Sequence, residues 1–270
     1  MAFPFDLGSR SIIGVVHLQP LPGSPRCSDS RKIIQQKALE DAERLLEGGI
    51  NGIIVENFGD APFHPVKVEP NTVADMSIIV SSIVKLADSI PVGVNVLRND
   101  ATSALAIAAA TGSCFIRVNV HTSAMLTDQG WIGGQAHETL RQRQIIDAGS
   151  ISIAADVGVK HAARTNDYNA SQAAIETVGR GLADAVIVTG KSTGDPLDIV
   201  ELQQVRQALH QTGTTAKPLL AGSGVDAQNA AQILEIADAA IVGTSLKENG
   251  DVGRPVDVSR VKDLIEKANG

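Results

Sequence analysis

The segment Phe115-Ile116-Arg117-Val118-Asn119-Val120-His121 alternates strictly between apolar and polar residues. On an extended strand Arg117, Asn119 and His121 share one face, and Ile116, Val118 and Val120 share the other. A guanidinium, an amide and an imidazole in one row can bind and orient a polar substrate. The same parity sets Asp156 and Lys160 against Val157 and Val159, and Asn95 against Val92, Val94 and Val96. It leaves His17, Glu56 and Thr189 at the ends of their own Val/Ile runs. Glu56 and Asp156 are carboxylates suited to general acid and base work where a closed site shifts their pKa. Lys160 suits the stabilisation of developing negative charge. His17, Asn95, Arg117, Asn119, His121 and Thr189 suit substrate binding. A purely structural reading stands beside this one for Arg117, which would neutralise Glu56 or Asp156 as a buried ion pair.

Two glycine turns add a second kind of chemistry. One is Gly222-Ser223-Gly224 and the other is Gly243-Thr244-Ser245, each directly after a short Val/Ile/Leu/Ala run. Glycine lets the backbone approach an anion, and successive N–H groups then point at it. At these places a phosphate group is the expected ligand, although tight turns alone also favour glycine. Lys191, in Thr189-Gly190-Lys191-Ser192-Thr193-Gly194, is loosely similar to the Schiff-base motif of deoxyribose-phosphate aldolases. There the lysine lies within the strand, whereas Lys191 follows Gly190. A Schiff-base role for Lys191 or Lys160 competes with phosphate pairing or a solvated lysine. His17, Glu56, His121 and Asp156 are compatible with one hard divalent cation, but no cofactor is expected. His17 lacks the His-x-His partner of zinc hydrolase barrels, so no metal ligand set is assigned.

These groups must be positioned by repeating elements. Short β-branched runs occur at Ile12–His17, Gly52–Glu56, Val92–Leu97, Phe115–Val120, Ile151–Val157, Ala185–Thr189, Pro218–Ala221 and Ala239–Val242. Amphipathic runs separate them: Ile34, Ala38, Ala42 and Leu45 recur at helical spacing, as do Ile199, Leu202, Val205 and Leu209, and Val258, Val261, Leu264 and Ile265. Ser30, Asn99-Asp100, Asp226 and Asp257 read as helix starts, and Gly48-Gly49 and Gly181 as helix ends. Strict strand–helix alternation predicts a parallel sheet. Eight units with no break predict an α/β fold of one domain over 1–270, a single (β/α)8 TIM barrel. An open doubly wound sheet is the alternative, but no dinucleotide fingerprint supports it. In the closed barrel the polar rows face inward, and the strand ends and both glycine turns meet at one rim. Two long loops, Asn57 to Asn71 and His121 to Gly134, lie on that rim too.

Composition narrows the partners. Of 270 residues 43% are hydrophobic but only 3% aromatic, so the core is expected to be Val, Ile, Leu and Ala. A net charge of −7 offers no counterion-release gain, so no nucleic acid is expected. Cys27 and Cys114 read as free thiols in a reducing compartment. The opening residues do not read as a secretory signal, and no run reaches the length of a transmembrane segment. A cytoplasmic protein is expected, with peripheral membrane association left open. Association into a homo-oligomer rests on fold analogy.

The chain resembles the BtpA/SgcQ family. The resemblance is carried in order by GVVHLQPLPGSPR (14–26), ENFGDAPF (56–63), GVNVLRND (93–100), FIRVNVHTSA (115–124), TDQG (127–130), ADVGVKHA (155–162), IVTGKSTG (187–194) and the LAGSGV to IVGTSLK region. It implies a TIM barrel of the ribulose-phosphate-binding type. It also brings two functional expectations. One is an enzyme acting on a small phosphorylated sugar or nucleotide-like substrate, by isomerisation, aldol or lyase chemistry, or glycosyl-bond cleavage. The other is a photosystem I biogenesis factor, peripheral on the cytoplasmic side of the thylakoid membrane. Relatives in non-photosynthetic organisms favour the first. After TDQG the family is expected to read x-I-E-G, whereas Trp131-Ile132-Gly133-Gly134 stands here. Ser123 also stands where glycine is common.

Overall fold

The computed structural model describes residues 3–5, 9–158, 162–163, 168–190, 197–211 and 217–269. In chain order the strands are β1 (Ser11–His17), β2 (Gly52–Glu56), β3 (Val92–Asn95), β4 (Phe115–Val118), β5 (Ala124–Thr127), β6 (Gly130–Gly133), β7 (Ser152–Val157), β8 (Ala162–Ala163), β9 (Ala185–Thr189), β10 (Leu219–Gly222) and β11 (Ala239–Val242). The helices are α1 (Arg31–Glu47), α2 (Pro70–Ala87), α3 (Ala101–Thr111), α4 (Ala136–Ile145), α5 (Ala170–Gly179), α6 (Ile199–Gln211), α7 (Ala230–Leu234) and α8 (Val258–Asn269). β1, β2, β3, β4, β7, β9, β10 and β11 close a parallel barrel, with Ser11 of β1 opposite Ala239 of β11 at the seam. This is a (β/α)8 TIM barrel, as the alternation predicts.

Strand parity divides the core into two shells. Outward residues such as Ile12, Val16, Ile53, Val55, Val94, Ile116, Val186 and Val242 join the helix faces in one apolar layer. Inward residues such as Ile13, Val15, Ile54, Ala154, Ile187, Leu220 and Ile241 fill the barrel. The core is aliphatic as expected, except at its floor. Phe3, Phe5 and Phe115 gather at the floor with ring centroids 5.6–5.8 Å apart. They fit because glycine faces them. A Cβ on Gly93 would come within 2.3 Å of the Phe115 ring. Side-chain acceptors also finish the strand starts: Asn51 Oδ1 takes the Ile12 N–H, Asp184 Oδ2 that of Ile153 and Asp238 Oδ2 that of Leu219.

β3 and β4 end at Asn95 and Val118, short of the Leu97 and Val120 expected. Side-chain amides take over from the ladder there. The Leu97 N–H donates to Asn57 Oδ1 (2.7 Å) and the Val120 N–H to Asn99 Oδ1 (2.8 Å). The 121–134 stretch, expected as a loop, contains the β5–β6 hairpin, which also pairs with β8. Most helix signals are met. Ser30 and Asp100 accept N–H groups at N-caps, and Asp257 Oδ1 accepts the Ser259 N–H. Asp226 instead stabilises the turn before α7, whose N-cap is Asn229.

The aromatic floor gives a direct stability prediction. Phe115 is fully buried, and Phe115→Ala should cost about 3–5 kcal/mol in urea unfolding at unchanged barrel content by circular dichroism. A loss under ~1 kcal/mol would mean that the floor collapses to fill the gap.

Candidate functional site

The polar rows expected from parity do converge inside the barrel. Arg117 reaches from β4 to Asp156 at the end of β7 with two parallel bonds, Nε to Oδ1 and Nη2 to Oδ2, each 2.9 Å. Asn119 Nδ2 donates to the same Oδ2 at 3.1 Å. Asn95 Nδ2 donates to Asn119 Oδ1 and to the Arg117 carbonyl. Glu56 Oε1 lies 3.9 Å from Arg117 Nη1, and Glu56 Oε2 lies 3.9 Å from His17 Nε2. The His17 ring stands edge-on to Phe58, at 4.8 Å between centroids. Burial pushes the Arg117 guanidinium down, but the charges of Asp156 and Glu56 and the bonds to Asp156 outweigh it, so its pKa is raised.

A cavity of about 370 Å³ opens from this cluster. His17, Glu56, Phe58 and Arg117 line its inner end. Ser223-Gly224-Val225 and Gly243-Thr244-Ser245 line its flank. Ser223 and Gly224 both have left-handed backbones (φ +69° and +68°), which curls this turn back on itself. The Ser245 hydroxyl donates to the Val225 carbonyl at 2.8 Å, which joins the two turns. The N–H groups of Gly224, Val225, Thr244 and Ser245 donate to no atom of the described residues. Lys247, buried to 1% exposure, pairs with Asp41 of α1. Asp41 also accepts the Val256 N–H (2.8 Å). This pins the second turn against the barrel wall.

Several expected site residues have other tasks. Gly222 closes β10 and faces inward, where a Cβ would meet Ile187 at 2.6 Å and Thr189 at 3.0 Å. Gly243 lines the cavity, but its lack of a side chain makes room for the His17 ring, 2.6 Å from a built Cβ. Thr189 donates its hydroxyl to the Gly158 carbonyl at 2.6 Å and is buried away from the cavity. His121 is a clear departure from parity. With β4 ended at Val118, its ring turns towards the end of α5, where Nε2 donates to the Gly181 carbonyl (2.8 Å). The four groups weighed for a divalent cation therefore do not meet. Among the described residues no three His, Cys, Asp or Glu side chains gather for a metal ion. Lys160 and Lys191 lie outside the described residues.

Sequence reading missed Arg98, Phe58, Lys247 and Arg260. Arg98 is buried just past β3, and burial lowers its pKa against the charges of Asp128, Asp156 and Glu56. It brings a second guanidinium within electrostatic reach of Arg117. Its signal was its place between Leu97 and Asn99, beyond the reach of strand parity. Arg260 of α8 lines the outer cavity, where Nε donates to the Ser245 carbonyl at 3.0 Å.

The profile of the BtpA family matches residues 8–270. A Synechocystis protein named "Photosystem I biogenesis protein BtpA" is 45% identical over 255 residues, covering 94% of this chain and 86% of its own. An uncharacterised Pyrococcus furiosus protein is 43% identical over 264 residues, covering 98% and 97%. An uncharacterised Caenorhabditis elegans protein is 31% identical over 264 residues, covering 96% and 92%. Among solved structures, N-(5'-phosphoribosyl)anthranilate isomerase from Pyrococcus furiosus aligns with a TM-score of 0.56 at 12% identity, covering 96% and 98%. That likeness speaks for the fold alone. No helix among the described residues is long and apolar enough to cross a membrane.

Two predictions follow from the buried charges. Arg117→Met leaves Asp156 buried without its cation and should cost about 3–5 kcal/mol. Adding Asp156→Asn should recover part of that loss, and strictly additive losses in a double-mutant cycle would refute the coupling. Burial also holds His121 below its ordinary pKa of 6.5. The unfolded chain then takes up the proton first, so this stability is present above about pH 6.5 and is lost as the pH falls below it. His121→Gln should show a smaller fall in melting temperature than the parent between about pH 7 and pH 5.

Proposed function

The chain belongs to the BtpA family, and from that premise we propose that it is an enzyme acting on a small phosphorylated sugar or nucleotide-like substrate at the barrel mouth. One observation carries the reading. A single cavity runs from Glu56 and Arg117 to two turns with uncommitted N–H groups. That arrangement suits a molecule with a phosphate at one end and a proton-bearing carbon or a glycosidic bond at the other. Ser223-Gly224 and Thr244-Ser245 would hold the phosphate, and loops after the last two strands are where this fold recurrently places one.

Glu56 is the proton-transfer group in this reading. Its carboxylate lines the cavity, with His17 on one side and Arg117 on the other. Asp156 does not share that role. Both of its oxygens accept hydrogen bonds from Arg117 and one also accepts from Asn119, so it anchors the guanidinium that faces Glu56. Arg117 and His17 would neutralise negative charge as it develops on the substrate, and Asn95 and Asn119 would keep Arg117 in register. Isomerisation and aldol or lyase chemistry can run on one such group beside a fixed cation, whereas glycosyl-bond cleavage ordinarily takes a second carboxylate.

A second reading comes from the Synechocystis relative, named for photosystem I biogenesis. An exposed apolar pair, Leu126 and Trp131, faces outward on the β5–β6 hairpin and would suit contact with a protein or a membrane surface. A related chain in Caenorhabditis elegans, an animal without photosystems, favours the enzyme. A contact role alone also leaves the buried polar mouth without a purpose.

A thermal-shift screen of phosphorylated metabolites against their dephosphorylated counterparts tests the proposal. A true ligand at about a hundred times its Kd should stabilise the fold by about 2.7 kcal/mol. If no phosphorylated compound raises the melting temperature, the reading fails. With a substrate found, Glu56→Gln should lower kcat by about 10²–10⁴ while the ligand still binds.

A further inference from the structure

Two arginines among the described residues line the cavity, and they are held in opposite ways. Arg117 is fully engaged, with two bonds to Asp156 and Glu56 close by. Arg260 is tied through Nε alone, and to a neutral group, the Ser245 carbonyl of the second glycine turn. Among the described residues its Nη1 and Nη2 form no ion pair with a carboxylate, although the Asp257 carboxylate is near enough to feel its charge. Of the other acids near it, Asp263 pairs with Lys267 at 3.1 Å and Asp226 accepts the Gln228 and Asn229 N–H groups, and both line the same cavity. Gly250 leaves room beside the guanidinium, since a Cβ there would stand 3.6 Å from Nη2.

We propose that Arg260 is the cationic member of the anion site, contributed by α8 and aimed by the Ser245 carbonyl. The inference rests on the phosphate reading of the cavity. Backbone N–H groups shape an anion site but bring no net charge, and the chain as a whole is at −7. A guanidinium with two free donors supplies both the charge and a planar fork for phosphate oxygens. Its single bond to a carbonyl fixes its direction without consuming its charge. Arg260 thereby selects a phosphomonoester dianion over a carboxylate or a neutral hydroxyl of similar size.

Calorimetric titration with inorganic phosphate, and with glycerol 3-phosphate as a monoester, tests this on the full chain. Arg260→Gln should weaken both by about tenfold or more, the loss of charge-assisted bonds. Arg260→Lys keeps the charge without the fork and should fall between. Lys262→Gln removes the same charge from α8 at a residue that does not line the cavity, and it should bind phosphate as the parent does. The unliganded melting temperature of each variant reports folding, and Arg260→Lys carries the test if Arg260→Gln fails to fold. Parent-like phosphate binding by Arg260→Gln overturns the inference while the phosphate reading stands. Equal weakening by Arg260→Gln and Lys262→Gln also overturns it, because bulk charge would then suffice. Failure of the parent chain to bind either phosphate removes the phosphate reading itself.

Discussion

A charged pair inside a barrel is the constraint around which this molecule is organised. A carboxylate and a guanidinium buried in the interior each carry a desolvation cost of several kcal/mol unless geometry and hydrogen bonds offset it. Arg117 and Asp156 meet that demand with two parallel bonds, and Asn119 completes the carboxylate. Such a pair forms only if β4 and β7 are neighbours in the right register, as they are, with Arg117 opposite Ala154. Gly222 stands across the barrel, where a Cβ would crowd Ile187 at 2.6 Å and Thr189 at 3.0 Å and lie in ordinary contact with Arg117 Nη2 at 3.7 Å.

The two ends of the cylinder divide the work. The floor is apolar and aromatic, closed by Phe3, Phe5 and Phe115. The mouth is polar and open, and the amide ladder of Asn95 and Asn119 carries the order of the ion pair out to the rim. Above it, the segment after β11 is held by a second buried pair, Lys247 with Asp41. Each pair fixes one wall of the same cavity. Glu56 and the glycine turns are thereby left facing each other across a space of small-molecule size.

This arrangement separates the groups that hold the frame from the groups that face the cavity. Groups that fix position are saturated with partners: Asp156, Asn119, Asp41 and Thr189 all have their bonds within the protein. Groups that face the cavity have donors without partners among the described residues, such as the N–H groups of the two turns and the Nη atoms of Arg260. A rigid frame with uncommitted donors is what preorganised recognition of an anion requires.

Eight repeats of strand and helix in the sequence determined the barrel, and period-two alternation within the strands determined the inward direction of Glu56, Asn95, Arg117, Asn119 and Asp156, because a buried parallel strand can satisfy helices outside and a core inside in only one parity. The same local pattern marked both glycine turns. It misplaced His121 because alternation holds only while the ladder does, and β4 ends at Val118, beyond which Asn99 takes the Val120 N–H. How the two carboxylates differ was likewise decided in three dimensions: Glu56 and Asp156 look equal in the chain, but only Asp156 lies where Arg117 can grip it with both nitrogens. Arg98, Lys247 and Arg260 were invisible for the same reason. Each sits beyond a strand end or on a helix, and its meaning comes from a neighbour far off in sequence, which only the folded chain brings near.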